Sequence, residues 1–346
     1  MKPKFGIIGC GDISRFHFNG LKKAGADIVY IADINEAAAK KYVDELGARF
    51  SKDYKDLLAD PEVTVVSVLT SAKYHKEICI AALQAGKDVI CEKTMSNNAE
   101  EAFEIAKAAE ESGQLFFMSY MKRFFPAVKK AKELLPKLGR IFSAQVRAYQ
   151  AWGNLYELEH GLGQQWILDG YGGAIVKCAG SHMIDMTLNL LGRPERLYAH
   201  VDYIPNSQVD RKAAALFEYG NGLVVNYETA AHALKKIGYE RNSWDEYIEI
   251  NGVGGRLRIS TVMWDHSEKN AALLVFYDNE TDTSTEYRFN AEIPFDAEMQ
   301  YFYECLCNRV QGAPNVVDGF NTDIMISAIM ESGFTRMPVV LDWQGL

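Results

Sequence analysis

Long apolar runs are missing from this 346-residue chain. The longest, such as Ala271–Tyr277, fall far short of the roughly 18 to 20 residues needed to cross a bilayer as a helix. Positive charge is in short supply: 37 Lys and Arg stand against 46 Asp and Glu, a formal net charge of −9. Such a field repels polyanions, so neither nucleic acid nor an anionic membrane is an expected partner. Cysteine is scarce as well. The six residues Cys10, Cys79, Cys91, Cys178, Cys305 and Cys307 form no CxxC pair and lack the even spacing of a disulfide framework. Reduced thiols in a cytoplasmic protein are the simpler reading, and no export is expected because Met1–Phe5 runs into a strand-like segment with no h-region behind it. HxxxH spacing is absent too, and His200 stands alone, so no metal site is expected.

What is present is material for a core. Hydrophobic residues make up 48% of the chain and charged ones 24%, and the length suits two domains at roughly 100–200 residues each. From Lys4 to Met118 short apolar runs alternate with amphipathic stretches, the pattern of a parallel sheet covered by helices on both faces. Strands are predicted at Phe5–Gly9, Ile28–Ala32, Val63–Leu69, Asp88–Cys91 and Leu115–Met118. The intervening helices are predicted at Ser14–Ala24, Glu36–Leu46, Lys73–Ala85 and Ala99–Glu111, the last opened by the good caps Ser96 and Asn97 and closed by Gly113. After a basic stretch at Lys122–Gly139 the period becomes alternating. This predicts an α/β doubly wound Rossmann domain over residues 1–121 and an α+β domain with an open, mostly antiparallel sheet over 122–346. Asn221-Gly222 between two apolar segments predicts a two-residue hairpin turn.

Gly9-Cys10-Gly11 lies between the first strand and the first helix, where glycines permit a tight turn and let amides approach a pyrophosphate. Gly9, Gly11, Asp12 and Ile13 are the candidate contacts, with Ser14 in the third glycine position of GxGxxG. Asp33 ends the second strand 22 residues beyond Gly11, near the spacing of a ribose-binding acid. The alternative is a plain turn with a capping aspartate. A carboxylate there favours NAD over NADP, although Arg15 keeps NADP open. After the fourth strand comes Glu92-Lys93-Thr94, at the sheet edge where open α/β folds bind ligands. Lys93 is either a hydrogen-bond donor to a substrate oxygen or a solvated surface lysine.

Together, Glu92-Lys93-Thr94 and the run Gly172-Gly173-Ala174 to Gly180-Ser181-His182-Met183-Ile184-Asp185 resemble the Gfo/Idh/MocA oxidoreductases over nearly the whole chain. Matching pieces are His17 after the glycine turn, Thr70 and His75 after the third strand, Met121-Lys122-Arg123-Phe124 and Ile248–Gly252. The resemblance implies a nicotinamide cofactor and a sugar, polyol or related hydroxy compound in the cleft between two domains. It further implies a homodimer or homotetramer built through the second sheet. Hydride transfer at a carbinol carbon is the chemistry it implies, with Lys93 and His182 handling the hydroxyl proton. Thr70, His75 and Glu92 join the cofactor set on the same ground.

Two departures stand out. The usual proline after the lysine is Thr94. Without proline a cis bond costs about 2.5–4 kcal/mol, so the loop is expected to hold its lysine differently. The aspartate common four residues before the histidine is Cys178, which shares a helical face with His182 and is either a packing residue or a Cys–His partner. His182 then reads as proton donor and acceptor, as a substrate-orienting group, or as a structural histidine, with Asp185 within reach of it. Tyr149–Tyr171 is rich in aromatics and glycine. Trp152 and Trp166 there offer ring faces to a sugar, with Arg123 and Lys177 as polar contacts, or the loop is an oligomer contact. Rival functions are an NAD-dependent glycosidase or lyase using transient oxidation of a sugar, and a non-catalytic nucleotide sensor.

Overall fold

A computed structural model describes residues 2–153, 155 and 174–343. It divides into two compact units, Met1–Met121 with Phe295–Asp323, and Lys122–Pro294 with Ile324–Leu346. A single division at 121/122 therefore misses the return of residues 295–323 to the first unit. Apolar burial accounts for that return: Phe295 stacks on Phe16 at 4.9 Å and Phe302 lies 4.8 Å from Phe117. Gly20 meets Met299 so closely that a Cβ would fall 2.8 Å from its side chain.

The first unit is built from β1 (Lys4–Ile8), α1 (Ser14–Lys23), β2 (Asp27–Ala32), α2 (Glu36–Leu46), β3 (Arg49–Ser51), α3 (Tyr54–Ala59), β4 (Val65–Val68), α4 (His75–Gln84), β5 (Asp88–Glu92), α5 (Ala99–Ser112) and β6 (Phe116–Ser119). The strands lie in the order β3-β2-β1-β4-β5-β6, every neighbouring pair parallel. Strands β4, β5 and β6 are buried along their whole length, as expected of a sheet covered on both faces. The order reverses between β1 and β4, so the carboxyl ends of those strands form the crevice in which such sheets bind ligands. Strand β3 and helix α3 have no counterpart in the sequence reading. β3 has three residues, too few to display a period. The cap of α5 is Asn98, whose side chain accepts from the Glu101 amide at 2.9 Å; the expected caps Ser96 and Asn97 bond elsewhere.

In the second unit β7 (Ile141–Gln150) follows α6 (Pro126–Leu134), and α7 (Ser181–Leu191) precedes β8 (Arg196–Tyr203), β9 (Asp210–Glu218) and β10 (Val224–Ala231). Then come β11 (Asp245–Gly252), β12 (Gly255–Ser260), β13 (Leu273–Asp278) and β14 (Thr283–Tyr287). Helix α8 (Pro294–Asn308) belongs to the first unit from Phe295 onward, α9 (Val316–Thr335) crosses the division, and β15 (Val339–Val340) completes the second sheet. The nine strands run β14-β13-β12-β11-β7-β10-β9-β8-β15. All pairs are antiparallel except β7 with β10. The β9–β10 turn has three residues rather than two. The Gly222 amide donates to the Tyr219 carbonyl at 3.0 Å, Tyr219 N–H donates to Leu223, and only Gly222 has positive φ, at +85°. This is a tight turn followed by a left-handed glycine, the next commonest hairpin form.

Candidate active site

At the carboxyl end of β1 the backbone turns at Gly9, whose φ is +100° and whose added Cβ would sit 2.9 Å from the Leu69 carbonyl. Only glycine fits both constraints. Gly11 has nothing within 4 Å of such a Cβ, and it is exposed together with Asp12. Helix α1 then starts behind Ile13 with no side-chain cap and no acidic residue in its first turn, which leaves the positive end of its dipole available to an anion. Ser14 packs without exposure, its hydroxyl 3.4 Å from that of Tyr42. Asp33 closes the cradle. Its Oδ2 accepts from the Cys10 amide at 2.6 Å and its Oδ1 from the Asn35 amide at 2.7 Å. The carboxylate is thereby fixed beside the glycine turn with lone pairs to spare for a ribose diol. Burial, aided by the charge of Asp33, pushes the Cys10 thiol up to about 12, so it is a neutral packing group.

One further strand across the switch point, the loop after β5 is tied down residue by residue. Glu92 is buried, with Oε1 2.9 Å from His17 Nε2 on α1 and Oε2 accepting from the Lys93 amide at 2.9 Å. Burial opposes its ionisation. The hydrogen bond and charge of His17, with the charge and amide of Lys93, outweigh burial and hold the carboxyl below its usual range. The Lys93–Thr94 peptide is cis, contrary to the expectation drawn from the missing proline. The Thr94 carbonyl lies 2.8 Å from His75 Nδ1, and Ser96 donates its amide and hydroxyl to Asp323 Oδ2, each at 2.8 Å. His75 Nε2 is 2.9 Å from the Thr70 carbonyl. Glu92 and His75 thus engage neighbouring side chains and backbone.

In the second unit, His182 lies buried in the first turn of α7. The preceding Val176–Gly180 is a π-helix, so the relation of Cys178 to His182 is not the α-helical one read from their spacing. Two strands hold this entry. Asp210 on β9 accepts from the amides of Ala174 at 3.2 Å and Val176 at 2.7 Å. Burial raises its carboxyl to about 6 despite the amides that stabilise the charge. On β10 the Tyr227 hydroxyl occupies the space that a Cβ on Gly180 would need. Arg123 donates from Nε and a terminal nitrogen to both oxygens of Asp185, at 2.9 and 2.6 Å; the expected neighbour of His182 therefore carries a guanidinium fork. Trp152 donates its indole N–H to Gln150 at 3.1 Å, and Gln150 donates to Glu246 at 2.9 Å. Glu246 is the fully buried partner of Lys122 and also accepts from Trp244 and Thr261, each at 3.0 Å. Lys177 is buried and Cys178 half-buried, while Trp166 lies outside the described residues.

Two family models match the chain. One, described as an oxidoreductase family with an NAD-binding Rossmann fold, covers residues 3–120, and the other, the Gfo/Idh/MocA C-terminal domain, covers 128–258. The chain belongs to the Gfo/Idh/MocA oxidoreductase family. Inositol 2-dehydrogenase 3 of Saccharopolyspora erythraea is 24% identical across 96% of this chain and 93% of its own. The inositol 2-dehydrogenase/D-chiro-inositol 3-dehydrogenase of Lactiplantibacillus plantarum reaches 33% identity over 38% of this chain and 39% of its own. A solved levoglucosan dehydrogenase, in complex with NADH and levoglucosan, shares the fold at a TM-score of 0.84 and 21% identity, covering 99% of this chain and all of that one. This Gfo/Idh/MocA chain is accordingly an NAD-binding oxidoreductase, and the Gly9, Gly11 and Asp33 cradle fits the dinucleotide. Sequence reasoning overlooked Asp210, Tyr227 and Asp323, whose partners are distant in the chain. His17 had a signal in its helical position after the glycine turn.

Proposed function

We propose that this enzyme interconverts a secondary hydroxyl and a carbonyl on a sugar, cyclitol or other polyol. The substrate class rests on relatives named for inositol, D-xylose and levoglucosan oxidation. The observation that carries the reading is the tethered Lys93 loop, held by Glu92, His17 and His75 in the same unit as the Gly9 and Asp33 cradle. Bound NAD supplies the hydride acceptor. Lys93 donates a hydrogen bond to the reacting oxygen and stabilises its negative charge as the hydroxyl ionises. His182 receives the proton and returns it in the reverse direction. Asp33 repels a 2′-phosphate and so selects NAD over NADP. Arg123, held flat by Asp185, together with Trp152 and Lys177, borders the substrate.

Assembly as a homodimer or homotetramer through the open face of the second sheet completes the proposal. Phe142, Tyr198, Leu216 and Val224 are exposed; Phe142 lines a groove of about 620 Å³ with Glu249, Arg256 and Tyr277, and Tyr198 and Leu216 line a second of about 370 Å³. No described helix is long and apolar enough to cross a membrane, and the six cysteines are free thiols, in keeping with work in the cytoplasm.

The test is NADH formation from NAD with myo-inositol, D-xylose or levoglucosan. Lys93→Met is expected to lower turnover about 10³-fold, the scale of a lost proton-handling group, while the NADH dissociation constant stays within about twofold. Wild-type turnover in that variant sinks the assignment.

A further inference from the structure

A lysine on a loop keeps its place only if the peptide groups on either side are held, since productive geometry tolerates about half an ångström. On the N-terminal side of Lys93 the holder is Glu92, backed by His17. On the other side it is His75, whose Nδ1 lies 2.8 Å from the Thr94 carbonyl. The same ring has a second attachment, Nε2 at 2.9 Å from the Thr70 carbonyl. Thr70 follows β4 and Thr94 follows β5, and these strands are direct neighbours, with Val68 opposite Cys91. One imidazole at the head of α4 thus joins the two loops that leave the ligand-binding edge of the sheet. Both partners are carbonyls, so the ring donates to one of them when neutral and to both when doubly protonated. His75 has no exposed surface and acts through the backbone.

We propose that His75 is a positioning residue that couples the Thr70 loop, on the nucleotide side, to the Lys93–Thr94 peptide on the chemical side. The proposal rests on the assignment of Lys93 above. Its two contacts, Nδ1 with the Thr94 carbonyl and Nε2 with the Thr70 carbonyl, are separable by substitution. Asparagine places an amide nitrogen where Nδ1 lies and keeps the Thr94 bond; glutamine reaches the place of Nε2 and keeps the Thr70 bond; phenylalanine fills the volume and keeps neither.

In His75→Asn, kcat is expected to stay within about threefold of wild type while KM for NAD rises about tenfold, the scale of one lost hydrogen bond. In His75→Gln the reverse is expected, and His75→Phe loses on both counts. The assay uses NAD with whichever of myo-inositol, D-xylose and levoglucosan the wild type oxidises. The NADH dissociation constant, measured by fluorescence without substrate, follows the same division: about tenfold weaker in His75→Asn, unchanged in His75→Gln. Thermal melts establish that each variant is folded. Asn and Gln variants that behave alike, or that both match wild type while folded, overturn the coupling. Lys93→Met run in parallel separates the two ideas: an active Lys93→Met removes the lysine assignment, whereas an inactive one beside unaltered His75 variants removes only the brace.

Discussion

Asp210 makes the second unit's stability depend on pH in an unusual direction. The carboxyl is 3% exposed, and burial raises it from an ordinary 3.8 to about 6, against the pull of the Val176, Asp210, Ala174 and Ile175 amides. In the unfolded chain it titrates at the ordinary value. Between about pH 4 and about pH 6 the folded protein therefore binds the extra proton, and stability falls as pH rises through that window. At about 1.4 kcal/mol per pH unit the loss comes to about 3 kcal/mol. The side chain introduced by Asp210→Asn does not titrate. Its single amide oxygen accepts from one of the two amides that Asp210 serves through separate oxygens, which costs about 1–3 kcal/mol at every pH. Urea unfolding followed by circular dichroism, from about pH 4 to about pH 7, tests the arithmetic. The advantage of wild type over Asp210→Asn is expected to shrink by about 3 kcal/mol as pH rises. Parallel stability curves, or an advantage that widens with pH, would show that burial does not govern this carboxyl.

Gly180→Ala puts a methyl where the Tyr227 hydroxyl lies and is expected to cost about 1–3 kcal/mol by overpacking; adding Tyr227→Phe should recover most of it, and a strictly additive pair in urea melts argues against that contact. Glu92→Gln removes one of two acceptors in a buried site and is expected to cost about 2–3 kcal/mol at neutral pH. Because Glu92 is held below its usual range, its contribution is present above that range and lost on acidification, so variant and wild type should converge on the acid limb of a stability profile.

The parts of the fold that were legible from sequence are those with a local cause. The alternation of apolar runs with amphipathic stretches located β1, β2, β4, β5 and β6, and glycine chemistry marked the end of α5, where Gly113 has φ of +65°. Asp33 was found by its distance from Gly11. Short or exposed elements escaped: β3, the exposed β14 and the two-residue β15 carry too few buried positions to show a period. The support of the candidate site was hidden for another reason. Ser96 finds Asp323 at a separation of 227 residues and His17 finds Glu92 at 75, and no local rule brings such pairs together. Residue types pointed to Lys93 and Glu92, but whether Glu92 faces a ligand or its own backbone is a tertiary question.

The late return of Phe295–Asp323 to the first unit bears on biogenesis. Rossmann units are commonly thought of as folding while they emerge from the ribosome, N-terminal part first. Here Phe16, Gly20 and Phe117 await partners at Phe295, Met299 and Phe302, so the nascent chain carries an unfinished nucleotide half until Phe302 has been translated. Closing so long a loop is slow more than it is costly, and during that interval the apolar flank of α1 at Phe16 and Gly20 lacks its cover.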